Sequence, residues 1–290
     1  MKQILTLEQV ERWRDKVHRR RPSLAVSSKK QALNFVNSVG FCFAFKAEHS
    51  ELPCLWHATA GQRQPTVPAH THIDPAISFV WEMKEVLPAE RRLYYGRLLK
   101  HRPTMVSLEY LPYFYALSGR SGQKREYTRE FTQGKLTRAA KEVMDALMDS
   151  PPQNTKGLKL ATGLESRARR VEFDKALSEL QEKMFVVKIA EEHGPFSFVW
   201  APMTQVFPEE IRKARRISTD EARERILDRY FRNQYVASVA AIHRLFRWNK
   251  QEIFRALGQL MRKGIVGGNV RLDALPGNFY CLSNNEKHRS

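Results

Sequence analysis

Apolar side chains recur at helical spacing in two places, with nearly the same wording. The segment Phe173-Asp-Lys-Ala-Leu-Ser-Glu-Leu-Gln-Glu-Lys-Met-Phe-Val186 is echoed 80 residues later by Ile253-Phe-Arg-Ala-Leu-Gly-Gln-Leu-Met-Arg-Lys-Gly-Ile-Val266. Each copy sets apolar residues at i, i+4 and i+7 (Phe173, Leu177, Leu180; Ile253, Leu257, Leu260), adds a basic turn and runs into a β-prone pair. Those positions fall on one face of a helix, so each copy predicts an amphipathic helix feeding a strand. A winged helix-turn-helix ends in this way.

The same pattern extends along the rest of the chain. Thr6-Leu-Glu-Gln9 is a capping-box pattern before a stripe of Val10, Trp13 and Val17, and the basic run from Lys16 to Arg21 breaks at Pro22. A second helix starts at Ser28, buries Ala32, Phe35, Val36 and Val39, ends at Gly40, and turns Asn34, Asn37 and Ser38 to the opposite face. Gly61 to Pro68 reads as a loop, and Asp74-Pro75 opens a helix carrying Trp81 and Leu87, which is expected to turn basic over Tyr94 to Lys100. The aromatic stretch Tyr110-Leu-Pro-Tyr-Phe-Tyr115 and the glycine-rich linker or wing Ser118 to Arg125 follow.

Two winged-helix patterns come after that. In the first, Leu136, Ala140, Val143 and Leu147 form a stripe, Lys156 to Thr162 is a short helix, Val171 to Lys183 is the third, and strands at Val186 to Ile189 and Phe196 to Trp200 flank His193-Gly-Pro195. In the second, Ser218 caps a helix over Glu221 to Tyr230, Val236 to Phe246 is the next, Asn249 caps the third through Lys263, and Gly267-Gly-Asn269 turns toward a strand ending Phe279 to Leu282. The expected fold is mainly α with small β wings (α+β), in tandem winged helix-turn-helix units. Their expected bounds are 1–125 for an N-terminal winged-helix-like unit holding the polar face, 126–210, 217–283, and a tail at 284–290.

Charge narrows the partner. The 290 residues carry 49 Lys and Arg against 31 Asp and Glu, a net charge of +18 with a pI near 10.0. A polyanion suits that balance, because phosphate neutralisation releases condensed counterions, although a ribosomal or membrane-surface protein would share it. No apolar run approaches the roughly 20 residues that cross a bilayer, and the first residues lack the apolar core of a signal peptide. Cys42, Cys54 and Cys281 are an odd number without C-x-x-C spacing, against a disulfide scaffold or a zinc knuckle. A cytoplasmic protein, nucleoid-associated when bound to DNA, fits best.

In a winged helix the start of the third helix meets the major groove and the wing meets the backbone. That geometry selects Arg167, Arg169, Arg170 and Lys175 in one unit and Arg247, Lys250, Arg255 and Arg271 in the other as DNA-binding residues. His70, His72 and Asp74 alternate as a metal site would use, but Asp74 before Pro75 is already explained as a helix cap and no second cluster supplies a further ligand, so neither a metal nor another cofactor is expected. Tyr110, Tyr113 and Tyr115 have the chemistry to stack on bases, yet Leu111, Phe114 and Leu117 among them favour packing.

The tandem plan, with Phe35-Val-Asn-Ser-Val39, the tryptophan helix Val80 to Pro88 and the last winged helix from Ala222 to Val266, resembles the tandem winged-helix DNA glycosylases of the AlkZ and YcaQ family, which unhook interstrand crosslinks and excise bulky alkylpurines. The resemblance implies a monomeric DNA-repair protein bound to duplex DNA, alkylated or crosslinked. If it is an enzyme, the implied activity is monofunctional hydrolysis of the N-glycosidic bond of N7-alkylated purines. It also implies a Gln-x-Gln or Gln-x-Asp motif, and here Phe35 stands for the first glutamine and Asn37 for the second polar residue. The helix of Val80 to Pro88 often has a His-Glu pair in the family where this chain has Glu82-Met83. The chain is therefore expected to be a divergent member, with Asn37, Asn34 and Glu82 as its candidate catalytic residues, and without the C-terminal β-barrel, for which little chain remains beyond the third wing. The competing reading is a winged-helix regulator or architectural protein without catalysis. A regulator would dimerise on a pseudo-palindrome, and no dimerisation helix stands out.

Overall fold

A computed structural model describes residues 4–46, 52–67, 73–273 and 275–283. His70, His72 and the tail at 284–290 lie outside them. The chain forms two compact units, Met1–Met83 with Ser218–Ser290, and Lys84–Ile217.

The first unit opens with β1 (Ile4–Leu5) and α1 (Leu7–Val17). The expected capping box is present: Thr6 Oγ1 accepts from Gln9 N and Gln9 Oε1 accepts from Thr6 N. α2 (Lys29–Val39) starts at Ser28, whose hydroxyl accepts from Gln31 N, and stops at Gly40, which takes a positive φ. β2 (Phe41–Phe43), α3 (Leu55–Ala60) and α4 (Pro75–Ala89) follow, and Asp74 caps α4 by accepting from Ile77 N at 2.8 Å. That bond gives Asp74 the capping role expected of it.

The second unit departs from expectation at once. Residues 94–100 are not the continuation of a helix: β3 (Leu93–Leu99) and β4 (Arg102–Ser107) form an antiparallel hairpin. Its turn, Lys100-His101, has both residues at positive φ. The short α5 (Leu111–Ala116) carries the aromatic stretch, with Tyr110 and Tyr115 buried as packing residues. α6 (Glu126–Thr132) follows a loop gathered by Glu126, whose carboxylate accepts from the main-chain N–H groups of Ser121, Gly122 and Gln123.

Then comes a winged helix: α7 (Arg138–Asp149), β5 (Gln153–Asn154), α8 (Thr155–Ala161), α9 (Arg170–Glu182), β6 (Val186–His193) and β7 (Phe196–Pro202), with strand order β5-β7-β6. Phe173, Leu177 and Leu180 pack into its core with Val143, Leu147 and Trp200. α10 (Met203–Val206) and α11 (Pro208–Ala214) close the unit.

The chain returns to the first unit in the same order of elements. α12 (Thr219–Gln234), capped by Ser218, precedes β8 (Val236–Ala237), α13 (Val239–Phe246), α14 (Lys250–Arg262), β9 (Val266–Leu272) and β10 (Leu275–Leu282). Val236 and Ala237, expected in a helix, pair with β10, and the helix begins after Ser238, whose hydroxyl accepts from Ala241 N. β1 adds in parallel to β9, giving the order β1-β9-β10-β8. The third helices of the two copies start at Arg170 and Lys250, and Ile253, Leu257 and Leu260 are buried like their counterparts. Helices thus dominate, with small sheets as wings.

Candidate nucleic-acid interface

The polar face of α2 is the first candidate. Asn34, Asn37 and Ser38 are exposed while Ala32, Phe35, Val36 and Val39 are buried, so the two asparagines share one face at i and i+3. Phe35, compared above with the family's first glutamine, is fully buried under the guanidinium of Arg19, 5.9 Å from the ring centre. It belongs to the core. Two side chains of α12 hold the end of α2: Arg229 Nη1 donates to the carbonyl of Ser38 at 3.0 Å, and Asn233 Nδ2 to that of Val39 at 2.8 Å. Donors at these positions satisfy carbonyls that a helix end leaves open.

Glu82 is exposed on α4, beside Trp81, which is half-exposed with its ring 5.3 Å from that of Phe45. No hydrogen bond joins Glu82 to Asn34 or Asn37 among the described residues.

His57 on α3 was not singled out from the sequence, since a lone histidine among Trp56, Ala58 and Thr59 carries no motif. Its Nε2 is buried without a hydrogen-bond partner among the described residues. Burial above all, helped by the charges of Lys46 and Arg20, pushes its pKa down to about 4, so the ring is neutral at physiological pH. Burial also holds His18 well below the ordinary histidine value, with Nε2–H donating to the carbonyl of Asn233 at 2.9 Å.

The winged helices form the second candidate, and the two copies differ. In the copy built on α9, the C-terminal half of that helix receives the β3–β4 hairpin: Arg97 Nη1 donates to Ser178 Oγ at 3.2 Å and His101 Nδ1 lies 2.7 Å from Glu182 Oε1. Its wing is engaged too. Glu191 accepts from Lys84 at 3.0 Å and from Lys188, and His193 meets Glu85 at 2.9 Å. Among the predicted DNA-binding residues here, Arg169 is bonded to Glu172 at 3.0 Å and Arg170 lies 4.0 Å from Asp174, while Arg167 and Lys175 are simply exposed.

The copy built on α14 is open. Asn249 and Glu252 form a capping box at its start, which fixes its first turn. Arg247, in a left-handed conformation between α13 and α14, and Lys250 are exposed. Arg255 bonds Asp220 at 3.2 Å, and Arg223 bonds Glu252, so two carboxylates already offset part of this charge. Arg271 is exposed on β9, in register with Ile4 of β1.

The order helix, short strand, two helices and a hairpin, found twice, defines a tandem winged-helix protein. A family model described as AlkZ related matches residues 26–247, and the chain belongs to that family. Among solved structures it is similar to the Streptomyces sahachiroi DNA glycosylase AlkZ, with 13% identity and a TM-score of 0.61 over 100% of this chain and 72% of that one, a likeness of fold. No curated protein matches it.

Proposed function

We propose that this protein is a DNA glycosylase-like DNA-repair protein that binds duplex DNA, alkylated or crosslinked, as a monomer in the cytoplasm. Family membership and the glycosylase named among its structural neighbours support the class. The observation that carries the reading is the double role of α12. Through Arg229 and Asn233 it holds the polar end of α2, and through Asp220 and Arg223 it holds α14, so a candidate reacting face and a candidate reading helix are mounted on one rigid element. Within this proposal the winged helices span 126–210 and 217–283.

The chemistry asked of α2 is modest. An N7-alkylated purine is cationic, so the bond from its N9 to the sugar C1′ breaks with the electron pair leaving on the base, which becomes neutral. Water forms the new bond to C1′, and its proton passes to a carboxylate or to solvent. Asn34 and Asn37 would hold the water by their amides, and Glu82 is the proposed carboxylate. The test is incubation with a duplex carrying one N7-alkylguanine, followed by detection of abasic sites. Excision that Asn37→Ala abolishes while duplex affinity stays near that of the parent supports the reading. Strong excision that survives Asn37→Ala moves the chemistry to other residues, and absence of excision leaves a DNA-binding protein without this activity.

A further inference from the structure

We infer that Phe254 is a wedge through which α14 meets the base stack of distorted duplex DNA; this rests on the DNA-binding reading above. The ring is 51% exposed, on the helix whose first turn carries exposed Lys250 and Gln251. Its outward position is fixed by the helix itself. Ile253, Ala256, Leu257 and Leu260 all face the core and the capping box sets the start, so Phe254 has no route inward.

The internal repeat supplies the comparison. Shifted by 80 residues, Phe254 corresponds to Asp174, Gly258 to Ser178 and Arg262 to Glu182. Ser178 and Glu182 are the two residues through which α9 receives the β3–β4 hairpin. In α14 one acceptor has become a glycine and the other a cation, so this face has lost the means to take such a hairpin and has gained an exposed aromatic ring. The two copies have diverged, one toward internal packing and the other toward an outside partner.

Charge identifies that partner. α13, α14 and the turn between them carry Arg244, Arg247, Lys250 and Arg262, all exposed. The one carboxylate of α14, Glu252, is already engaged by Arg223 and by the main chain of Asn249. A polyanion that also offers flat apolar surfaces meets both demands, and nucleic acid whose bases are partly unstacked is such a partner. Apolar side chains inserted at a base step exploit unstacking in this way, and a weakened step is the easiest to open.

The experiment uses the full chain with two duplexes identical except for one mismatched pair flanked by 2-aminopurine, and measures anisotropy across a salt series together with 2-aminopurine fluorescence. Phe254→Ala should lower affinity for the mismatched duplex about tenfold, a loss of the size expected for one stacked base, and much less for the intact one. Its salt dependence should not change, because no charge is removed, while Phe254→Trp should keep both affinity and the fluorescence response. Lys250→Ala is the control for the underlying reading: it should reduce the salt slope by about one on both duplexes. Equal losses on the two duplexes for Phe254→Ala, or none, would overturn the wedge while leaving DNA binding intact. If the parent binds neither duplex, both the wedge and the DNA reading fail. A concentration-dependent dimer that Phe254→Ala abolishes would overturn the wedge by assigning the ring to a contact between copies.

Discussion

Asn233 anchors α2 from 194 residues away along the chain: its Nδ2 donates to the carbonyl of Val39 at 2.8 Å, while its own carbonyl accepts from His18. The residue is completely buried. Asn233→Ala strands a buried carbonyl and opens space around it, so it should cost about 1–3 kcal/mol, lowering the thermal midpoint by several degrees. An unchanged midpoint would show that α2 is held by its apolar face alone.

Phe35 bears on any attempt to rebuild the family's glutamine motif in this chain. Because its ring is fully enclosed, Phe35→Gln both removes core packing and buries an amide, at about 3–5 kcal/mol. Asn37→Gln, on the exposed side of the same helix, should stay within about 0.5 kcal/mol of the parent. Denaturant titration of the two variants checks both; a loss below about 1 kcal/mol for Phe35→Gln would contradict the assignment of that side chain to the core.

Acid should weaken the fold through His57 and His18. Both are harder to protonate folded than unfolded, so the unfolded chain takes up protons first as pH falls. The stability tied to His57 is therefore full above its ordinary value of 6.5 and is lost as pH falls toward about 4, and His18, depressed by burial in the same direction, adds to the loss as pH falls. His57→Gln should lose less stability than the parent across this window. A denaturation midpoint that is level from about pH 7 to about pH 4.5 in the parent would rule the mechanism out.

The local architecture was legible where side chains close on their own neighbourhood. Thr6, Ser28, Ser218 and Asn249 cap the helices they were expected to cap, and the stripes of Phe173 and Ile253 are buried as their spacing required. The β3–β4 hairpin was not legible, for two reasons. Leu93, Tyr94 and Tyr95 are all buried, so no alternation marks a strand, and the turn uses Lys100-His101 at positive φ where Asn-Gly would have signalled it. The short strands β5 and β8, two residues each, fall below any pattern. At the α2 face the outward asparagines followed from periodicity, but their support by Arg229 and Asn233, and the burial of His57 Nε2 without a partner among the described residues, depend on contacts between distant segments.

The most direct test of the account is duplex DNA affinity measured over a salt series. Affinity should fall linearly on a logarithmic scale, and Arg247→Ala and Lys250→Ala should each reduce the slope by about one. Arg169→Ala should change it less, because that guanidinium is already held by Glu172. Affinity that does not respond to salt, or absence of duplex binding at low salt, would contradict the central claim.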